Sequence, residues 1–263
     1  MLELYHAINS VCAQKVRLAL AEKGLQAQDH MLKLNGDQYD PAYLKLNPNG
    51  VVPTLVHDGH VVLESTVMLY YLDDVFPQPA LMPADPLGKV KVHLINKLVD
   101  EYVHNACIVL TFAIAFRPAL LSKPPEEREA SFGRSPIRNR AEYKRDVVQH
   151  GLASAFVTGA VQDMVKLVTA IDKSLDGGSY IAGEAWSNAE AAVIPYMLRL
   201  ELLGLSGLWE SLPAVSRWWT RVRARASTQE AIFQRMTEVN WAPFKSIHPD
   251  PWPQIQALAG GAA

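Results

Sequence analysis

NPNGVVPTLVHDGHVVLEST, residues 47–66, decides how this chain folds and what it could hold. Val51, Val52, Pro53, Thr54, Leu55 and Val56 make a strand-like apolar run with a proline inside it. Proline cannot donate to a sheet ladder, so in a strand it belongs at the start, the edge or a bulge. The bond before it is also the one peptide bond whose cis form is cheap, at about 0.5–1 kcal/mol. Asp58-Gly59 separates this run from a second, His60 to Leu63, and Asp-Gly between two β-prone runs is the strongest short hairpin signal. Glu64-Ser65-Thr66 then opens a helix whose first amides are free to receive an anion. A hairpin edge and a helix N-terminus thus meet at one place, which suits a small peptide carrying a carboxylate.

Upstream, Leu2–His6 reads as a strand. Residues 12–23 read as a helix closed by Gly24, residues 28–34 as a second strand, and residues 41–46 as a short helix that stops before Pro48. Ser65–Val75 is a helix ending before Pro77. The order is βαβ, a short helix, then ββα. The first unit implies a parallel pair with a crossover helix, and the second an antiparallel hairpin.

Downstream, Pro77, Pro79, Pro83 and Pro86 mark a connector. Residues 87–116 carry apolar side chains at helical spacing and end near Arg117-Pro118. Residues 122–139 are polar and read as a loop or short helix. Residues 141–175 read as a long helix broken or kinked near Gly151 and Gly159, and residues 187–204 and 213–226 as two more. Ser187-Asn188-Ala189-Glu190 is a capping box before an apolar helix, a folding signal rather than a chemical one. The final AGGAA is expected to fray. The expected organisation is an α/β domain at 1–76, a linker at 77–86, an all-helical domain at 87–250 and a tail at 251–263.

The composition is ordinary for a globular chain: 263 residues, 49% hydrophobic, 20% charged. A net charge of −2 argues against a partner held by phosphate contacts. Arg217, Arg221, Arg223 and Arg225 share one helical run and read as a solvated face. Cys12 and Cys107 are too few for a disulfide scaffold, and reduced thiols in the cytoplasm are the expectation. The N-terminus has no secretory pattern, and no apolar run reaches the ~18 residues that a membrane span needs. His6, His57 and His60 are scattered, without metal-ligand spacing, so no metal is expected.

In this order, the pieces resemble the glutathione S-transferase superfamily over nearly the whole chain. Val52-Pro53 stands where the family has a cis-proline before its third strand. Glu64-Ser65 stands where a Glu-Ser or Asp-Ser pair opens its third helix, and Ser187–Glu190 matches its capping box, with Glu where Asp is commoner. The resemblance implies a thioredoxin-like first domain, an all-α second domain, a dimer (of one chain or two) and a glutathione site. In that site Val52, beside Pro53, pairs its backbone with the cysteinyl part of glutathione. Ser65 and its amide take the γ-glutamyl carboxylate, and Glu64 meets the ammonium. Val51 departs from the Lys or Gln usual there; Lys33, Lys45, Asn49 or a helical-domain residue is expected to serve the glycyl end.

A transferase must stabilise the glutathione thiolate. Ser10 falls where serine-type members place their hydroxyl, two residues before Cys12 in S-x-C-x-x-x-V-R, although a plain N-cap explains it too. Asn9 could donate its side-chain amide. Cys12 is the competitor: cysteine-type members use such a residue for reductase or thiol-removal chemistry, while its ordinary role is a small buried hydrophobe. Tyr5 lies inside the first strand.

The second substrate is expected against the long helix after the linker. There Tyr102, Asn105, Ile108, Thr111 and Phe112 can share one face, which suits a small aromatic electrophile. DGxVVxEST, residues 71–77 (YLDDVFP), the PADP of residues 83–86 and Val99-Asp100-Glu101-Tyr102 further resemble bacterial β-aryl etherases acting on lignin-derived dimers. That likeness implies thiolate attack beside an aromatic ketone with loss of a phenolate. Two other classes remain: a Cys12-dependent glutathione lyase or reductase, and a non-catalytic binding or partner subunit.

Overall fold

The computed structural model describes residues 1–133, 137, 139–245 and 247–260. β1 (Leu2–His6), α1 (Val11–Glu22) and β2 (Gln28–Met31) form the expected parallel βαβ unit, with Glu3 opposite Gln28 and His6 opposite Met31. α1 closes before Gly24, whose φ of 62° is the left-handed conformation that a residue without Cβ adopts freely. The second strand, expected over residues 28–34, stops at Met31. α2 (Pro41–Leu44) follows, then β3 (Thr54–His57) and β4 (His60–Val62), antiparallel around Asp58-Gly59. β3 also runs antiparallel to β1, so the sheet order is β2-β1-β3-β4. α3 (Ser65–Val75) completes this unit. Leu4 and Leu55 sit opposite each other in the sheet and are fully buried with Leu18, Met68, Leu69 and Leu72.

The third strand is also shorter than the apolar run 51–56, and begins after Pro53 as the resemblance implies. Val51, Val52 and Pro53 precede β3 rather than lying in it. Pro53 has no amide hydrogen to give, and the Val51 carbonyl is claimed by Tyr43 Oη at 2.5 Å and Asn47 Nδ2 at 2.9 Å. The segment leaves the ladder just before the strand begins, and its Val52–Pro53 bond is cis.

α4 (Pro86–Leu98) and α5 (His104–Ile114) make the long helix, but a π-helical stretch at Val99–Val103 joins them. Arg117-Pro118, expected to end it, instead opens α6 (Arg117–Leu121), where proline in a first turn costs no hydrogen bond. The polar span 122–139 contains α7 (Pro125–Gly133); residues 134–136 and 138 lie outside the described residues.

The helical stretch expected over 141–175 is broken, as its glycines imply, into α8 (Arg140–His150) and α9 (Val157–Ser174), which meet at 85°. The break is at Gly151, at a φ of 59°, while Gly159 lies within α9. α10 (Asn188–Leu202) starts at the Ser187 capping box and is buried from Asn188 to Leu200. It packs on α1, which ties the two units together.

α11 (Pro213–Ala224), α12 (Ala226–Ala231), α13 (Glu238–Lys245) and α14 (Trp252–Gly260) complete the chain. The arginine run is not simply solvated: Arg223 pairs with Glu201 at 3.1 Å, and Arg225 Nη2 reaches Glu22 of α1 at 2.8 Å. Residues 251–263 are more than a tail. α14 docks on α9, buries Ile255 completely and lays the Trp252 indole over Gly207, where a Cβ would come within 2.1 Å of the ring. Ala259 and Gly260 of the terminal AGGAA are helical, and residues 261–263 lie outside the described residues. No single helix among the described residues is long and apolar enough to cross a membrane.

Candidate active site

The β1–α1 loop, the segment before β3, the start of α3 and one face of α5 open onto a single cleft of about 1990 Å³. Val52 lines it, with a half-free backbone edge of the kind an extended peptide pairs with: neither its N–H nor its C=O has a hydrogen bond to a described residue. Glu64 and Ser65 line the cleft beside it. Glu64 is exposed, at a φ of 64° that non-glycine residues rarely take, and its side chain does not cap α3. The first amides of α3 are therefore open to an anion, and Ser65 sits at the first helical position with its hydroxyl unengaged. Of the residues considered in place of a Lys at Val51, Lys33 and Asn49 line the cleft and Lys45 does not; Gln38 joins them.

Ser10 is the N-cap of α1, accepting from the Ala13 amide at 3.3 Å. That bond uses an oxygen lone pair and leaves the hydroxyl hydrogen free to donate into the cleft. Asn9 Nδ2 is committed to the Asn240 carbonyl at 3.0 Å, and the Asn9 carbonyl is held by Arg199 Nη2 at 2.7 Å. Asn9 thus positions the loop with one amide hydrogen and keeps the second, on the cleft lining, as a further donor. Cys12 Sγ lies 3.5 Å from His104 Nδ1 and 3.9 Å from Tyr196 Oη, and those two groups are 3.2 Å apart. Burial pushes the Cys12 thiol up, but the His104 imidazole, the Lys15 ammonium and the Tyr196 hydroxyl outweigh it and bring it down to about 6. Cys107, fully buried, is pushed the other way.

Asn105, Ile108, Thr111 and Phe112 line the far wall with Phe116, whose ring meets Phe112 edge-on and has Phe244 tilted behind it. Tyr102 does not. It lies in the π-helical stretch, is 46% exposed and has Lys166 of α9 over its ring. The extra residue per π turn breaks the regular helical spacing that placed Tyr102 with Asn105. Thr111 is 2% exposed, accepts from Arg199 Nη1 at 3.1 Å and lies 3.9 Å from Cys107 Sγ, so its hydroxyl is turned into the wall's own contacts. Among the described residues no group of three or more His, Cys, Asp or Glu could hold a metal ion.

Residues 4–80 match the family model of the glutathione S-transferase N-terminal domain. LigF of Sphingobium sp. (strain NBRC 103272 / SYK-6) is 26% identical over 238 residues, which cover 87% of this chain and 92% of that protein. The crystal structure of beta-etherase LigF superposes with a TM-score of 0.79 at 27% identity, over 89% of this chain and 99% of that one. Maleylacetoacetate isomerase of Pseudomonas aeruginosa is 36% identical over 115 residues, covering 41% of this chain and 54% of that protein. Residues 4–80 are thus a glutathione S-transferase N-terminal domain, and the likeness to a protein of that fold continues through the helical part of the chain.

The cleft therefore has one wall on the sheet unit and the other on the helices. Sequence reasoning missed residues that only the fold brings together. His104 and Tyr196 are 92 positions apart and meet at Cys12. Lys15, with no exposed side-chain surface, bonds Thr66 Oγ1 at 2.7 Å and Asp100 at 3.3 Å, which ties α1 to α3 and the π-helical stretch. Arg199 links α10 to the β1–α1 loop. Only His104 had a local signal, its place on the cleft-facing helix.

Proposed function

We propose that this protein is a glutathione-dependent transferase that cleaves β-aryl ethers of aromatic ketones. The observation that carries the glutathione part is the free Val52 backbone edge beside the uncapped N-terminus of α3. One accepts the backbone of an extended peptide; the other accepts its carboxylate. The ether part rests on the chain-long likeness to a beta-etherase and on the aromatic far wall.

In this scheme Ser10, from the N-terminus of α1, donates to the glutathione sulfur, and the helix end favours the anion. The thiolate attacks the carbon beside the ketone. The new C–S bond takes the place of the C–O bond, whose electron pair leaves with the phenolate; solvent then protonates it. The adjacent carbonyl already makes that carbon electrophilic, so the protein's task is to stabilise the thiolate and position both partners. A cytoplasmic dimer, joined through the sheet unit of one subunit and the helices of the other, belongs to the same proposal. Sedimentation as a single 29.1 kDa species would count against the dimer.

One observation favours a second scheme. A Cys12 thiol brought down to about 6 beside His104 is a nucleophile in its own right, as in a glutathione lyase or thiol reductase. Cys12→Ser separates the two. Retained ether cleavage assigns the chemistry to glutathione and Ser10; loss of turnover with glutathione binding intact assigns it to Cys12. A binder inert toward aryl ethers, chlorodinitrobenzene and isomerisable diones would instead be a non-catalytic subunit.

A further inference from the structure

The far end of the cleft holds two cations with no counter-ion among the described residues. Lys144 of α8 places its ammonium 4.4 Å from the centre of the Phe112 ring. It has no hydrogen bond or ion pair with any described residue, and the charged group acting most on it is another cation, Arg140, one turn earlier. Burial together with Arg140 lowers Lys144 to about 8, so it still carries its charge at neutral pH. Arg140 Nε is buried without an acceptor.

The rest of the neighbourhood makes this unusual. Arg145 and His150, on the same helix, are paired with Glu129 and Asp146. Of the carboxylates that line the cleft, Asp100 pairs with Lys15 and Glu101 with Lys97, while Glu64 and Glu127 make no ion pair with Lys144 or Arg140. Arg199, the cation under Phe244, spends its donors on Thr111 and Asn9.

Taking charge from water without a partner is unfavourable, and an anion arriving there recovers part of that cost. Phe112 stands under Lys144, and Phe116, which also lines the cleft, follows with its ring centre 5.4 Å from that of Phe112. Rings flanked by unpaired cations complement an aromatic group bearing an anionic oxygen. A phenol stays protonated at neutral pH, with a pKa of about 10, whereas a carboxylic acid is ionised.

We propose that Lys144 and Arg140, at the Phe112 end of the cleft, form a subsite for the carboxylate of an aromatic second substrate. This rests on placing that substrate in the cleft, as in the proposed function, but not on which bond is broken.

The test is calorimetric binding of two unreactive probes, 4-phenoxybenzoate and 4-phenoxybenzamide, to protein saturated with S-methylglutathione. The native protein should prefer the carboxylate by about tenfold, the range of a charge-assisted hydrogen bond. Lys144→Met should remove that preference while leaving carboxamide affinity unchanged, which also shows that the variant is folded. Lys144→Arg should restore the preference, and Arg140→Gln should reduce it. Equal affinity of the native protein for both probes, or a preference that survives Lys144→Met, overturns the proposal. Because neither probe reacts, absence of ether cleavage would refute the etherase scheme and leave the subsite standing.

Discussion

His104→Ala tests the electrostatics of the α1 N-terminus directly. Burial raises the Cys12 thiol, and among the groups that lower it His104 comes first, ahead of Lys15 and Tyr196. Without the imidazole the thiol should rise from about 6 toward its ordinary 9.0, a full return being the largest effect expected because Lys15 and Tyr196 still lower it. With a full return, the ionised fraction at pH 6 falls from about one half to about one thousandth, roughly 500-fold. A more basic thiolate is also a better nucleophile; with a Brønsted coefficient of about 0.4–0.5, three pH units of basicity make each thiolate roughly 15–30-fold faster. In that limit alkylation at pH 6 should slow by roughly 15–30-fold, and alkylation at pH 10 should quicken by a similar factor, so that the two profiles cross at about pH 7.5–8. The assay is iodoacetamide modification of Cys12 from pH 4.5 to 10, read by peptide mass spectrometry, with Cys107 as the buried, slow internal control. A native midpoint near 9, or superposed native and His104→Ala profiles, would refute the reasoning. The sign of the linked stability also follows. Between the folded value of about 6 and the unfolded 9.0, the unfolded chain binds more protons, so stability should rise with pH across that window and be lost as pH falls through 6. The stability advantage of the native protein over Cys12→Ser should grow across the same window in urea titrations.

Ser65→Ala and Glu64→Gln should each weaken glutathione about tenfold by calorimetry; unchanged affinity of both variants would remove the glutathione site from the start of α3. Ser187→Ala should cost about 1–2 kcal/mol in chemical unfolding, because Ser187 Oγ both caps α10 and donates at 2.8 Å to the buried Glu190. Gly207→Ala should unseat α14, since its Cβ would overlap the Trp252 ring, and should be visible as a lower melting temperature and a changed tryptophan emission.

The sheet unit was legible because its signals are local. Asp58-Gly59, Pro53, Gly24 and Glu64-Ser65 each constrain their own backbone, and the structure puts β1, α1, β3, β4 and α3 where those residues imply. The helical part was legible in outline only. Its apolar period located the long helix, but nothing in Val99-Asp100-Glu101-Tyr102-Val103 announces a π-helical stretch, and that stretch is what removes Tyr102 from the cleft. α14 was missed for a similar reason: Trp252 and Ile255 become helix-forming through their docking on Gly207 and α9, which are remote in sequence. In the site, Ser10, Cys12, Val52, Glu64, Ser65, Asn105, Ile108 and Phe112 could be placed from sequence because each belongs to a recognisable local pattern. His104, Tyr196, Arg199 and Lys144 act through tertiary contacts, and no spacing in the chain encodes those.

The central claim is that the cleft joins glutathione to an aromatic electrophile by displacing an aryl ether. Incubation with glutathione and a small panel of lignin-like β-aryl ether ketones, followed by mass spectrometry of the products, tests it most directly. The account predicts a glutathione thioether of the ketone and one equivalent of free phenol, formed only when both glutathione and active protein are present. Intact ethers, or phenol released at the same rate without glutathione, would contradict it.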